Sequence, residues 1–209
     1  MLKALLTDID GTITDPSRRI STGSVELIRS LVDGGTEVIL ASGNTACFMD
    51  ALSKMIGTKG TFIAENGGVF RVGYTGPLRI KGDQTVCRKA LEALQAHFRL
   101  SGTELELFSA PYRFADLAFA RTVPVDEVKS VLREHPVQVL DTGYAIHLQA
   151  PGINKGTALV ALAEEMGLKP ADFLAIGDSL NDIQMLETAG IGITVANAHP
   201  DTKAGARYV

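Results

Sequence analysis

Residues 2–12 read LKALLTDIDGT, an apolar run that ends in two aspartates and a glycine turn. The run Leu2–Leu6 has the length and composition of a buried β-strand, and Gly11 marks the turn that follows it. Asp8 and Asp10 therefore lie just beyond the carboxyl end of a predicted strand. Ligands of open parallel sheets bind at that end of the strands, so the stretch predicts one side of a functional site.

Apolar runs of strand length alternate with amphipathic segments of helical length over most of the chain. The predicted strands are Leu2–Leu6, Thr36–Ala41, Thr61–Ala64, Phe173–Ile176 and Ile191–Val195. The predicted helices are Ser24–Val32, Cys47–Ile56, Lys155–Met166 and Asp182–Ala189. Strands that alternate with helices form βαβ units, so the pattern predicts an α/β fold with a Rossmann-like parallel sheet.

Residues 78–151 have a different pattern. Two predicted strands are joined by Asp141-Thr142-Gly143, which is a hairpin signal, and an antiparallel hairpin does not belong in a simple parallel sheet. The predicted elements of this segment are a helix Gln84–Phe98, a strand Ala115–Arg121, a helix Val125–Glu134, and strands Val137–Leu140 and Ala145–Gln149. We therefore predict a catalytic core of residues 1–77 and 152–209, with residues 78–151 inserted as a small α+β cap domain.

The composition limits the classes of function. The chain has 209 residues, 45% of them hydrophobic, and a net charge of −4, which suits a globular protein and argues against a nucleic-acid partner. The isolated basic pairs Arg18-Arg19 and Arg88-Lys89 are interpreted as solvated surface, and no apolar run approaches the ~20 residues of a membrane span. Cys47 and Cys87 lie far apart, which predicts reduced thiols and a cytoplasmic protein. The sequence leaves open whether the protein forms a homodimer.

Acidic residues at two predicted strand ends indicate a cation site. Asp8 and Asp10 are close enough to repel each other, which favours a bound cation or a shared proton. Asp178 and Asp182 follow the strand at 173–176 and can supply the other side of the site. Mg²⁺ prefers a few carboxylates together with water and phosphate oxygens, so the pattern predicts Mg²⁺.

A second polar group predicts a phosphate cradle. Ser42 offers a hydroxyl, Gly43 a backbone N–H that can closely approach a phosphate, and Lys155 a positive charge at the start of a helix. Each alone has an ordinary explanation, such as a helix cap or a surface lysine. Placed together opposite a cation, they predict phosphoryl transfer, in which catalysis is mostly positioning and charge stabilisation.

The four motifs resemble those of the haloacid dehalogenase-type phosphatases, in order and over almost the whole chain. They are DIDGT at 8–12, the strand-end Ser42, Lys155 in NKG, and GDSLND at 177–182. The resemblance implies that Asp8 attacks phosphorus to form an aspartyl-phosphate, and that Asp10 protonates the leaving alcohol and then activates water. It also implies Mg²⁺ ligands and phosphoryl-binding residues. The implied ligands are Asp8, the main chain of Asp10, Asp178 and Asp182 (directly or through water), and the implied phosphoryl-binding residues are Ser42, Gly43, Lys155 and Asn181.

The position of the insert resembles that of a C2-type cap. ILASGN at 39–44 and AENGG at 64–68 resemble the archaeal-type phosphoglycolate phosphatases, relatives of the sucrose-phosphate phosphatases. The resemblance implies a small phosphorylated metabolite, 2-phosphoglycolate, as substrate. Asn44 stands where many sugar-phosphate relatives carry arginine, which argues against large sugar phosphates. Asn66-Gly67-Gly68 is the expected cap hinge, and the cap offers Tyr112, Arg113, Tyr144 and His147 as candidate substrate contacts.

Three alternatives remain open. A sugar-phosphate phosphatase would share the whole mechanism. A phosphomutase would use the same aspartyl-phosphate but transfer the group to a sugar-phosphate hydroxyl, so release of free phosphate separates the two. A receiver-like signalling domain would need its phosphorylated aspartate after the third strand, where this chain has Glu65-Asn66.

Overall fold

The computed structural model describes residues 2–209, and Met1, where the predicted core begins, lies outside them. The chain divides into two compact units. The core unit comprises the described residues up to Arg79 together with Asn154–Val209, and the inserted unit comprises Ile80–Ile153. Each border lies two residues from the border expected from the sequence.

Strands and helices follow one another along both units. The strands are β1 (Ala4–Asp8), β2 (Glu37–Ala41), β3 (Phe62–Ala64), β4 (Val69–Arg71), β5 (Arg79–Ile80), β6 (Asp116–Ala120), β7 (Gln138–Asp141), β8 (Ala145–Gln149), β9 (Phe173–Gly177) and β10 (Ile191–Thr194). The helices are α1 (Thr22–Asp33), α2 (Ala46–Ile56), α3 (Gln84–Arg99), α4 (Val125–Val131), α5 (Lys155–Glu165), α6 (Ile183–Thr188) and α7 (Pro200–Gly205).

The core unit is built on one sheet with the strand order β10-β9-β1-β2-β3-β4-β5. The strands from β10 to β3 run parallel, as the alternation of elements predicted. Val38, Ile39 and Leu40 of β2 are fully buried, so both faces of the sheet are covered. Helices α5 and α6 pack on the face that carries Ile39, and α1 and α2 lie against β2 and β3. The α/β, Rossmann-like fold class is thereby confirmed.

The register of the sheet places the predicted site residues at one edge. Asp8 is the last residue of β1 and pairs with Ala41, the last residue of β2, directly before Ser42. Thr7 of β1 pairs with Ile176 of β9, directly before Gly177. The parallel ladders therefore bring the chain segments around Asp8, Ser42 and Asp178 to the same end of the sheet.

The expected hinge at Asn66-Gly67-Gly68 is wrong. These residues follow β3 in a short 3-10 turn and lead into β4, which pairs antiparallel to β3 inside the core unit. Asn66 and Gly67 are buried, and a Cβ added at Gly67 would lie 2.2 Å from the Asn154 carbonyl oxygen. A packed turn of this kind holds two parts of the core together. The border between the units comes later, after Arg79.

The inserted unit contains an antiparallel sheet of order β6-β8-β7. One face of this sheet carries Leu117, Phe119, Ile146 and Leu148, which form an apolar core with residues of α3 and α4. The β7–β8 hairpin turns at Thr142 and Gly143, and Gly143 has a φ of +79°. Across the described part of the chain, no helix combines the length and apolarity that crossing a lipid bilayer requires.

Candidate active site

The centre of the site is a buried lysine held between two carboxylates. Lys155 is the first residue of α5, and the Asn154 side chain caps that helix by accepting from the Thr157 N–H at 2.8 Å. The Lys155 Nζ donates to Asp8 Oδ1 and to Asp182 Oδ1, each at 2.6 Å. Lys155 and Asp182 are fully buried, and Asp8 is 6% exposed. Both charge-assisted bonds are therefore short and shielded from water.

The charges of this cluster do not balance. Asp8, Asp178 and Asp182 each offer a carboxylate oxygen, and these oxygens lie within 4.8 Å of one another. Three carboxylates against the one Lys155 ammonium give a net charge of −2 when all are ionised. A divalent cation carries the charge that would neutralise the group.

The pKa values of Asp8, Asp178 and Lys155 are shifted by burial and by the neighbouring charges. Burial, with the neighbouring Asp182 charge, raises the pKa of Asp8 to about 8. The same two causes raise the pKa of Asp178. Burial by itself would lower the pKa of Lys155, but Asp182 and Asp8 outweigh it and hold that pKa above its ordinary value. The lysine therefore stays charged, while Asp8 and Asp178 favour a proton or a cation.

The hydrogen bonds show which oxygens can take a cation. Asp8 Oδ2 is buried and has no hydrogen-bond partner. Asp182 uses both oxygens, since Oδ1 accepts from Lys155 and Oδ2 accepts from the N–H groups of Asp178 (3.1 Å) and Ser179 (3.0 Å). Asp178 Oδ1 accepts from the Ser179 hydroxyl at 3.0 Å. The residues thus fit a hard cation that binds Asp8 and Asp178 directly, with Asp182 bracing the loop.

Gly11 allows Asp178 to approach the end of β1. Its φ is +87°, and a Cβ added there would lie 2.3 Å from Asp178 Oδ2. Any side chain at this position would displace the Asp178 carboxylate from its place beside the end of β1. Thr12, the next residue, donates its hydroxyl to Asp178 Oδ1 at 3.4 Å, which ties the same two loops together.

Asp10 is separated from the buried cluster in this structure. Its Oδ2 accepts from Asn44 Nδ2 at 3.3 Å, and its Oδ1 lies 3.8 Å from Arg18 Nε. The Asp10 side chain is 37% exposed, in contrast to that of Asp8. Two aspartates two residues apart thus have different environments, which is the usual basis for different roles. The expected metal contact of the Asp10 main chain stays a prediction.

Ser42 and Lys155 each retain a hydrogen to donate. Ser42 is 2% exposed, and its Oγ accepts from the backbone N–H (3.1 Å) and the side-chain amide (2.9 Å) of Asn44. Its own hydroxyl hydrogen can therefore point to another acceptor. The Lys155 ammonium has three N–H groups, and two of them bind carboxylates. Both residues are thus equipped to hold an anion.

Asn66 links the remaining predicted phosphate-binding residues and was missed from the sequence in this role. Its Oδ1 accepts from Asn181 Nδ2 at 3.0 Å, and a Cβ added at Gly43 would lie 3.0 Å from its side-chain amide. Glu65 and Asn66 both have positive φ, 50° and 52°. Among non-glycine residues such a backbone is uncommon and asparagine tolerates it best, so the Asn-Gly-Gly signal indicated a turn but not its contacts.

The inserted unit holds a polar cluster of its own. Asp116 is fully buried, and it accepts from Arg113 Nη1 at 2.6 Å and contacts His147 Nδ1 at 2.9 Å. Burial opposes ionisation of Asp116, but His147 and Arg113 outweigh it and lower the pKa of Asp116. Tyr112 and Tyr144 are exposed. Asp116 is the member of this cluster that the sequence did not single out.

Comparison with known proteins identifies the family. A family model described as haloacid dehalogenase-like hydrolase matches residues 5–98 and 123–209, and the chain belongs to this family. It is 62% identical, over 100% of its length and 90% of the relative, to a protein named phosphoglycolate phosphatase from Methanoculleus marisnigri. A protein of the same name from Methanospirillum hungatei is 50% identical, over 97% of this chain and 88% of the relative.

Solved structures agree with this assignment. A crystal structure from Thermoplasma acidophilum superposes with a TM-score of 0.88 at 30% identity, covering 100% of this chain and 91% of the other. A haloacid dehalogenase-like hydrolase from Bacteroides thetaiotaomicron, 21% identical, shares the fold with a TM-score of 0.82 over 100% and 93% of the two chains. The predicted family and enzyme class, a hydrolase of phosphoric monoesters, are confirmed. The receiver-domain alternative no longer has support.

Proposed function

We propose that this protein hydrolyses 2-phosphoglycolate to glycolate and phosphate, in a Mg²⁺-dependent reaction that passes through an aspartyl-phosphate on Asp8. One observation carries the chemistry. Asp8 has one oxygen fixed by Lys155 and a second oxygen that is buried without a hydrogen-bond partner. A buried acceptor of this kind is costly unless a ligand or a reacting atom satisfies it.

Lys155 orients the nucleophile. It binds Asp8 Oδ1 and so fixes the carboxylate plane, which leaves Oδ2 to face the incoming phosphorus or the cation. Mg²⁺ held by Asp8, the Asp10 main chain and Asp178, with Asp182 contributing through water, would keep Asp8 ionised and offset the charge that develops on the phosphoryl oxygens. The charge of −2 on the ionised cluster favours such a cation.

Asp10 acts as the general acid and then as the general base in this proposal. In the first step Asp8 forms a bond to phosphorus as the bond to the ester oxygen breaks, and Asp10 gives its proton to that oxygen. In the second step Asp10 takes a proton from water, whose oxygen attacks phosphorus and releases Asp8. The half-exposed position of Asp10, held by Asn44 but outside the buried cluster, suits a group that must exchange protons with substrate and water.

The transferring phosphoryl group is held by four residues in this proposal. Ser42 supplies its hydroxyl hydrogen and Lys155 its third N–H, while the Gly43 backbone and Asn181 complete the cradle. The bond from Asn181 to Asn66, and the close approach of Gly43 to Asn66, support a shared location for the last two.

The names of the relatives support the choice of substrate, since two proteins 62% and 50% identical to this chain are both called phosphoglycolate phosphatase. A sugar-phosphate phosphatase is the second candidate. We propose in addition that residues 78–151 serve as the cap domain. We also propose that the protein is cytoplasmic, since the described cysteines form no disulfide. A homodimer stays a prediction.

Release of inorganic phosphate tests the proposal. We would assay 2-phosphoglycolate, p-nitrophenyl phosphate and several sugar phosphates with Mg²⁺ or EDTA, using the wild type and Asp8→Asn. Asp33→Asn is the matched control, because Asp33 is an exposed carboxylate at the end of α1. We expect Mg²⁺-dependent release that Asp8→Asn abolishes and Asp33→Asn leaves intact. Release from a sugar phosphate alone would support the second candidate, and transfer without free phosphate would indicate a mutase.

A further inference from the structure

Arg18 lies at the tip of a loop that folds back toward the site. The loop connects β1 to α1, and it closes on itself where Thr14 bridges Ile20 and where the Ser21 N–H donates to the Ile13 carbonyl at 3.1 Å. Asp15 secures the tip, since its Oδ1 accepts from the N–H groups of residues 17 and 19 at 2.8 and 3.0 Å. These hydrogen bonds within the loop therefore fix the backbone position of Arg18.

The backbone of Arg18 is unusual for its residue type. Its φ is +62°, in the left-handed region that glycine and asparagine prefer. The Arg18 N–H donates to the Asp15 carbonyl at 2.8 Å, which holds this conformation. A glycine would suit the turn better. The loop therefore holds Arg18 in a backbone conformation that its residue type seldom adopts.

The Arg18 side chain lies beside Asp10. Arg18 Nε is 3.8 Å from Asp10 Oδ1, while Asp10 Oδ2 accepts from Asn44, whose amide also donates to Ser42 Oγ. Arg18, Asp10, Asn44 and Ser42 thus form a row that leads from the loop tip to the expected phosphate cradle. The two side chains of the ion pair are 46% and 37% exposed, and exposed ion pairs contribute little to stability.

We infer that Arg18 binds the carboxylate of the substrate and so selects phosphate esters that carry a carboxylate one carbon from the ester oxygen. This inference rests on the proposed function. An ester oxygen that accepts the Asp10 proton lies about 2.5–3.0 Å from the Asp10 oxygen. In 2-phosphoglycolate the carboxyl carbon is two bonds further on, at about 2.5 Å from that oxygen. A guanidinium 3.8 Å from Asp10 is within reach of this carboxylate.

The chemistry of arginine suits a carboxylate ligand. The planar fork of arginine binds carboxylates with two parallel hydrogen bonds of about 2.7–2.9 Å, a geometry that suits the carboxylate of 2-phosphoglycolate. Lys155 is bound to Asp8 and Asp182, whereas Arg18 is a second cation that lies beside Asp10, where the ester oxygen is expected.

The ratio of kcat/KM for 2-phosphoglycolate and ethyl phosphate tests this inference, because ethyl phosphate has the same carbon count but no carboxylate. Arg18→Gly suits the positive φ and removes the guanidinium, so it should fold normally. We expect this variant to lower the ratio by about 30-fold, mainly through KM for 2-phosphoglycolate, which is the size of effect expected for a lost charged hydrogen bond. Arg18→Lys should recover part of the loss.

Arg19→Ala is the matched control, because the neighbouring Arg19 side chain is 80% exposed and pairs with Asp15. We expect it to leave the ratio unchanged. An equal loss on both esters in Arg18→Gly would overturn the inference, since Arg18 would then act through Asp10 and not on the carboxylate. An unchanged ratio would overturn it as well.

A binding measurement separates this inference from the proposed function. Calorimetry with the Asp8→Asn protein and Mg²⁺ should show tighter binding of 2-phosphoglycolate than of ethyl phosphate, and adding Arg18→Gly should remove that preference. If the wild type released no phosphate from any ester, the proposed function would fail, while an Arg18-dependent preference would still support the carboxylate site. Turnover of both esters with no preference would leave the phosphatase standing and refute the role of Arg18.

Discussion

Lys155 Nζ lies 2.6 Å from Asp8 Oδ1, although 147 residues separate the two along the chain. The contact joins the end of β1 to the first residue of α5, and the same ammonium binds Asp182 at 2.6 Å. One lysine thus connects the proposed nucleophile, the helix that follows the inserted unit, and the loop that carries GDSLND. We therefore expect the stability of the core and the geometry of the site to depend on the same three side chains.

Removing the lysine charge should destabilise the protein. Lys155→Met leaves the buried Asp182 carboxylate without its cation and Asp8 without its hydrogen-bond donor, and breaking a buried ion pair costs about 3–5 kcal/mol. Urea unfolding without metal measures the loss. Lys54→Met is the control, because Lys54 pairs with Asp50 at an exposed position, where the expected cost is below about 1 kcal/mol. Equal losses in both variants would contradict the central role of Lys155.

The metal-free protein should become less stable as the pH rises from about 4 to about 8. The pKa of Asp8 is about 8 in the folded chain, against its ordinary value of 3.8. The folded state therefore binds a proton that the unfolded state releases in this window, so the stabilisation is complete below the ordinary pKa and is lost as the pH approaches 8. Thermal melts in EDTA between pH 4 and pH 8 measure the effect.

Magnesium should reverse this pH dependence. A cation on Asp8 replaces the proton, so Mg²⁺ should raise Tm more at pH 8 than at pH 5, and binding near pH 6 should release protons. Calorimetry in two buffers of different ionisation enthalpy counts those protons. Binding without proton release, together with a Tm shift that does not depend on pH, would show that Asp8 is not a ligand.

Gly11→Ala should weaken metal binding as well as the fold. The new Cβ would lie 2.3 Å from Asp178 Oδ2, and the backbone has a φ of +87°. Gly35→Ala is a matched control, because Gly35 has a φ of +91° and nothing within 4 Å of the added Cβ. We expect both variants to lose about 1 kcal/mol of unfolding free energy to backbone strain, with a further loss of Mg²⁺ affinity in Gly11→Ala alone. Denaturant unfolding and Mg²⁺ titration measure the two effects.

Asp182→Asn should lower Mg²⁺ affinity although Asp182 uses both oxygens within the protein. Its Oδ2 accepts from two backbone N–H groups of the GDSLND loop, and an amide nitrogen would oppose either those donors or Lys155. Loss of such a supporting residue typically lowers metal affinity by about 10–100-fold. Asp172→Asn is the control, since Asp172 caps a similar short turn by accepting from the Lys169 N–H. Unchanged affinity in Asp182→Asn would refute the bracing role.

The sequence by itself determined the layout of the core and which polar residues gather at one edge of its sheet. Strands buried on both faces read as continuous apolar runs, so β1, β2 and β9 were recognisable from composition, and polar residues directly after them had to meet at one edge. Asp8, Lys155, Asp178 and Asp182 are brought together as that argument required. The signals were local, and the parallel topology made them converge.

Tertiary structure alone decided which short elements form and which environment each site residue has. The three-residue strand β4 carries too little pattern of its own and exists because it pairs with β3. The sequence likewise did not predict the environment of Asn66. This residue was expected in a hinge, but it lies in a packed turn and its side chain accepts from Asn181. Asp8 and Asp10 look alike in the sequence, yet one is buried against Lys155 and the other lies between Asn44 and Arg18. Side-chain environment depends on residues distant in the chain, and only the folded backbone specifies those neighbours.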